Sequence, residues 1–132
     1  MSEDKKRQPV GELAIRTLAM PADTNPAGDI FGGWVLSQMD IAGGLVTKKV
    51  AGGRTVTVAV DSMTFHLPVF VGDTICCYVE ILKVGNTSIK TKIEVWANHQ
   101  YEQDRVLVTE GVFTYVAVSS KRKPRPIDSE YS

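Results

Sequence analysis

Cysteine is almost missing from this chain of 132 residues: Cys76 and Cys77 are its only two, adjacent in an apparent strand where successive side chains take opposite faces. No further thiol is present for either to pair with, so a disulfide framework is excluded and nothing suggests a metal site. An excess of charge is missing too. Fifteen Lys plus Arg balance fifteen Asp plus Glu, which removes any global electrostatic reason to expect nucleic acid or an anionic membrane as partner. A polyanionic ligand must then be met by a local basic patch. No apolar run approaches the roughly 18 residues of a membrane span, and Met1 is followed by SEDKKR rather than by a signal-peptide pattern. A reducing cytoplasm is the expected location. Internal repeats and long linkers are lacking, and the length suits one domain.

What is present is concentrated between Asn25 and Val50, NPAGDIFGGWVLSQMDIAGGLVTKKV. Pro26, Gly28, Gly32 and Gly33 make the first half a loop, with Asn25 and Asp29 as turn or cap residues. From about Gly33 the spacing predicts one long helix. At 100° per residue Trp34, Val35, Met39, Ile41, Ala42, Leu45 and Val46 form an apolar arc wide enough for the helix to be wrapped by the rest of the chain. The other face carries Gly33, Ser37, Asp40, Gly44 and Thr47, with Gly43 at its edge, so Asp40 is the only acid on the helix body and stands among small residues. Two glycines inside a helix cost roughly 1 kcal/mol each relative to alanine. A close backbone contact or a site would account for that cost.

Residues 1–10 are charged and expected to be loose; the single folded domain is expected to run from 11 to 118. Gly11 to Met20 predicts a first strand, ended by Pro21. After the helix stop at Ala51-Gly52-Gly53, the period changes to two. Val56, Val58 and Val60 alternate with Thr55, Thr57 and Ala59; the apolar parity then slips to Met63, Phe65 and Leu67, which predicts a bulge near Asp61 and Ser62. Thr74 to Val84 is the next strand. Ser88 to Ala97 follows across Gly85-Asn86 and should be half exposed, and Arg105 to Val118, apolar on both parities, should be central. Residues 119–132 are basic, proline-broken and then acidic, and are expected to remain a solvated, flexible tail. The order is α+β: one long helix held in a curved antiparallel sheet of about five strands.

These residues resemble the acyl-CoA thioesterases of the hot-dog superfamily, in particular their short bacterial YciA-like branch. The resemblance rests on RTLAMPADTNPAGDIFGGWVLSQMD at 16–40, GRTVTVAVDSMTF at 53–65 and VGDTICCYVEILKVGNTSIKTKIEVW at 71–96. It implies hydrolysis of an acyl-CoA to a free acid and coenzyme A without a further cofactor, by homodimers that usually assemble into hexamers. It places the catalytic carboxylate on Asp40, the substrate-positioning loop on Asn25 to Gly33, including Phe31, with Asn25 as its polar residue, and helix-start N–H groups at Gly32 and Gly33.

The chemistry follows from the residue types. Backbone N–H groups in the first turn of a helix are free to donate to the oxyanion that forms when a thioester carbonyl is attacked. Asp40 can deprotonate the attacking water or attack the carbonyl itself. Gly33 and Asp40 are about 10 Å apart along one helix at ~1.5 Å per residue, so a site using both needs two chains, with the helices antiparallel across a two-fold axis. Arg54, Ser88, Lys90, Lys92, Lys121, Arg122, Lys123 and Arg125 are the candidates to meet the phosphates or pantetheine of coenzyme A. Trp34, Met39, Met63 and Phe65 are the expected lining of the acyl pocket. His66 and His99 read as structural or solvated. The rival readings are a non-catalytic acyl-CoA-binding protein and a hot-dog enoyl-CoA hydratase; against the latter, Gly28 stands where the hydratase pattern Asp-x-Asn-Pro-x-His requires histidine.

Overall fold

In the computed structural model, residues 7–99 and 104–127 are described. Strand β1 (Glu12–Leu18) leads through a 3-10 turn at Pro21–Asp23 into helix α1 (Gly32–Ala51), followed by β2 (Thr55–Phe65), β3 (Thr74–Val84), β4 (Ser88–Asn98) and β5 (Arg105–Ala117). The five strands form one antiparallel sheet in the order β1-β3-β4-β5-β2, and α1 packs against all of them. The fold is α+β, as its pattern of periods implies.

The helix ends where its glycines permit. Gly52 adopts φ 68°, and the Gly53 N–H returns to the Lys48 carbonyl, satisfying an acceptor that the last turn leaves open. Its buried stripe is Val35, Met39, Ala42 and Val46, packed on Ile93, Val95 and Phe113 of the sheet, and Ala51, packed on Ile89 and Ala117. Met39, fully buried, contributes on the order of 2 kcal/mol. The predicted arc is too wide on one side. Ile41 and Leu45 are 52% and 49% exposed, while Gly43 and Thr47 are buried in their place. The reason is polar: the Tyr115 hydroxyl lies beneath Gly43, and Thr47 hydrogen-bonds Thr55.

The slip in β2 is real. Its register against β5 shifts between Asp61 and Thr64, with Ser62 at φ 57°, and an earlier shift lies between Thr57 and Ala59. The middle of the sheet is β4, not β5, which has β2 beyond it. Nor is β4 half exposed. Glu94 and Trp96, on its outer parity, are buried because residues 7–10 cross that face: Arg7 bonds Glu94 and Glu110, the Val10 N–H bonds Glu94, and Gln8 bonds Arg105, whose guanidinium lies over Trp96. Residues 7–10 are therefore tied down by ion pairs rather than loose.

The expected solvated tail is also held as far as Ile127. Arg125 caps the helix by donating to the Ala51 carbonyl, and Ile127 bonds the Asn86 carbonyl and packs against the second core cluster of Ala51, Ile89 and Ala117. Residues 1–6 and 128–132 lie outside the described residues.

Candidate active site

Asp40 projects from α1 toward the β2–β5 ladder. Its Oδ1 accepts from the Thr57 hydroxyl and from the Tyr115 hydroxyl at 3.1 Å, and Tyr115 also lies 3.0 Å from the Asp40 carbonyl oxygen. Thr57 and Tyr115 are directly opposed in the register of β2 and β5, so one rung of the sheet supplies both donors. Among the described residues no donor bonds Oδ2 and no cation pairs with the carboxylate. Asp40 is only half-buried, and no described side-chain oxygen is both buried and unpartnered, so Oδ2 faces open space. Burial, and secondarily the nearby Asp40 charge, raise the Tyr115 pKa above the ordinary phenol value, which keeps the hydroxyl protonated as a donor. A carboxylate fixed by one oxygen and open at the other suits a general base or a nucleophile.

The start of α1 is equally open. Phe31 is the N-cap residue without a side-chain cap bond, leaving the first-turn amides to other acceptors. A Cβ at Gly33 would meet nothing within 4 Å, and one at Gly32 would meet only the Phe65 ring, 3.5 Å away. Beside them is a mainly apolar pocket of about 100 Å³ lined by Ile30, Gly32, Val35, Phe65, Leu67, Val69, Val108 and Thr109. Of the expected pocket residues only Phe65 lines this cavity; Met39 is fully buried core, and Trp34 and Met63 pack against that core. Asn25 organises the preceding loop: its Oδ1 accepts from the N–H groups of Ala27 and Asp29.

Residues 27–103 match the family model described as Thioesterase superfamily, which is more than half of the chain. The chain belongs to the thioesterase superfamily. The acyl-CoA thioester hydrolase YciA of Salmonella typhimurium is 55% identical over 122 residues, covering 90% of this chain and 92% of that protein. Among solved structures, a hexameric broad-specificity acyl-coenzyme A thioesterase superposes with a TM-score of 0.89 at 53% identity, covering 94% of this chain and 86% of the other. The hexameric thioesterase y2039 of Yersinia pestis gives a TM-score of 0.89 at 57% identity, covering 92% and 99%. The hot-dog fold of the superfamily is thereby established for this chain.

Within this superfamily member the remaining candidates separate into two groups. Arg54 at the start of β2 accepts the Val118 N–H at its carbonyl, which brings it beside the Ser119–Lys123 turn carrying Lys121 and Arg122. These exposed cations share the end of the molecule where α1 terminates, three residues along β2 from Thr57, or ~10 Å at strand rise. Ser88 and Lys90 are not brought to Asp40. They lie on the parity opposite to the buried Ile89 and Thr91 and face away from the helix in the same subunit. Lys92 is engaged by Glu110, and Arg125 by the helix end. His66 bonds Glu110 and His99 bonds the buried Asp73, so neither approaches the carboxylate. Burial, with Cys76 adding to it, pushes the Cys77 thiol up to about 12, which makes it inert.

Thr57 and Tyr115 are the site residues that the sequence pattern did not disclose. Thr57 sits in the alternating TVTVAV segment, where its hydroxyl parity is the inward one. Tyr115 lies in a strand apolar on both parities, and nothing local marks its hydroxyl as bonded.

Proposed function

We propose that this protein is an acyl-CoA thioesterase that hydrolyses the thioester to a free carboxylic acid and coenzyme A in a site shared between two subunits. The observation that carries this reading is Asp40, anchored through Oδ1 by Thr57 and Tyr115 with Oδ2 open. A binding protein has no use for a carboxylate so held. Oδ2 takes the proton of the attacking water or attacks the carbonyl carbon, and helix-start amides at Gly33 receive the oxyanion. The reaction uses a carboxylate, water and backbone donors and calls on no cofactor.

One helix cannot supply both parts. Antiparallel pairing of two α1 helices about an axis near Ser37 brings Asp40 to the partner's Gly33, and Gly44 to the partner's Asp29–Phe31 loop. Gly33 and Gly44 have open space where their Cβ atoms would be, and Ile41, Leu45, Val58 and Val60 are the exposed apolar residues such a pair would cover. Both hexameric relatives support further assembly of these dimers. The cations Arg54, Lys121 and Arg122 meet the phosphates of coenzyme A. Asn25 directs its NH₂ to the substrate, and Ser88 and Lys90 reach coenzyme A only if it extends across the subunit boundary. No described helix is long and apolar enough to cross a membrane; the location this reading proposes is the cytoplasm.

Free-thiol release from acyl-CoAs of increasing chain length, by the wild type and Asp40→Asn side by side, tests the reading. The expected result is hydrolysis by the wild type and a loss of about 10²-fold or more in the variant. Binding without release by the wild type would replace the enzyme with an acyl-CoA-binding protein.

A further inference from the structure

The Tyr115 hydroxyl has one proton and two acceptors on the same residue, the Asp40 carbonyl oxygen at 3.0 Å and its Oδ1 at 3.1 Å. A tether between helix and sheet would require only the first. The helix has made room for both: a Cβ on Gly43 would fall 2.1 Å from the Tyr115 Oη and 2.6 Å from Cζ. Gly43 is therefore a notch cut for this hydroxyl, whereas a Cβ on neighbouring Gly44 would meet nothing. Thr57 approaches the same Oδ1 from the facing strand. Donors arriving from two strands at one oxygen restrict both the position and the rotation of the carboxylate, which one donor alone would leave free to swivel.

We propose that Tyr115 is a positioning residue for the hydrolysis: admitted by Gly43, its hydroxyl clamps Asp40 at both its backbone carbonyl and Oδ1, so that Oδ2 is presented to the water or thioester in one fixed orientation. This rests on the thioesterase reading above. Tyr115 touches no substrate and exchanges no proton; it acts through Asp40. Its burial serves the same end, because a hydroxyl with 1% of its residue exposed has no solvent to compete for its proton.

Tyr115→Phe removes the hydroxyl and keeps the ring that stacks on Phe113 with centroids 6.4 Å apart. The fold survives, since the Asp40 carbonyl retains its place in the helix ladder. The expected result is a fall in kcat of about tenfold, with KM changed less than twofold on the best acyl-CoA of the panel, because a misdirected base weakens the transition state and not ground-state binding. In the Asp40→Asn background the same substitution should cause no further loss of the residual rate. A kcat within twofold of wild type, or an equal loss in both backgrounds, overturns the positioning role and leaves the thioesterase reading standing. Absence of hydrolysis by the wild type overturns that reading and this role with it.

Discussion

The carboxylates on the two sides of the sheet, Glu94 and Glu110 on its outer face and Asp40 on the helix against its inner face, have opposite fates. On the outer face Glu94 and Glu110 are paired across β4 and β5, and all four of their oxygens are matched. Glu94 Oε1 takes the Val10 and Trp96 N–H groups and Oε2 takes Arg7, while Glu110 Oε1 takes Arg7 and Lys92 and Oε2 takes His66. On the helix side Asp40 has two donors on one oxygen and, among the described residues, none on the other and no cation. Burial alone would single out Glu94 and Asp73, each 1% exposed, as the unusual acids. What separates structure from chemistry is the unmatched oxygen: a carboxylate with both oxygens bonded is fixed, and one with a single oxygen free can act.

The largest test of this contrast exchanges the two losses. Asp40→Asn should lower turnover by about 10²-fold or more while leaving the denaturant midpoint within the scatter of replicate unfolding curves. Glu94→Gln should do the reverse, losing about 2 kcal/mol in urea unfolding through its charged hydrogen bonds, with kcat per folded molecule retained. Loss of turnover in the Glu94 variant with stability intact would break the comparison.

A comparable effect should come from the notch on the helix. Gly43→Ala overpacks against Tyr115 and Ile93 and should cost about 2 kcal/mol as well as activity. Gly44→Ala, one residue on, meets open space within the subunit and should cost nothing on unfolding of dissociated protein, though sedimentation should show weaker pairing if the helices meet there.

The smallest effect belongs to Glu110. Burial tends to raise its pKa, but its bonds to His66, Arg7 and Lys92 outweigh this and hold it below the usual glutamate range. A depressed folded-state pKa stabilises the protein above the unfolded-state value, and that contribution is lost as pH falls through the folded value. Glu110→Gln should therefore be less stable by about 1 kcal/mol at neutral pH, and the gap should close in strong acid. A gap unchanged by pH would show that the ion pairs are not its source.

The sequence by itself determined the elements and most of what is chemically distinctive. Helical and alternating periods located α1 and five strands to within a few residues, because periodicity is a property of neighbours along the chain. The lone acid among small residues on that helix marked Asp40, and the resemblance marked the loop and glycines around it. Only the tertiary structure decided who touches whom. Thr57 lies 17 residues from Asp40 and Tyr115 lies 75, and their convergence follows from the pairing register of β2 with β5, which no local pattern encodes. The placement of β4 at the centre, the burial of Glu94 beneath Arg7, and the docking of Arg125 on the helix end were decided in the same way. Each is a polar contact between distant segments, whose energy depends on a geometry that exists only once the sheet has closed around the helix.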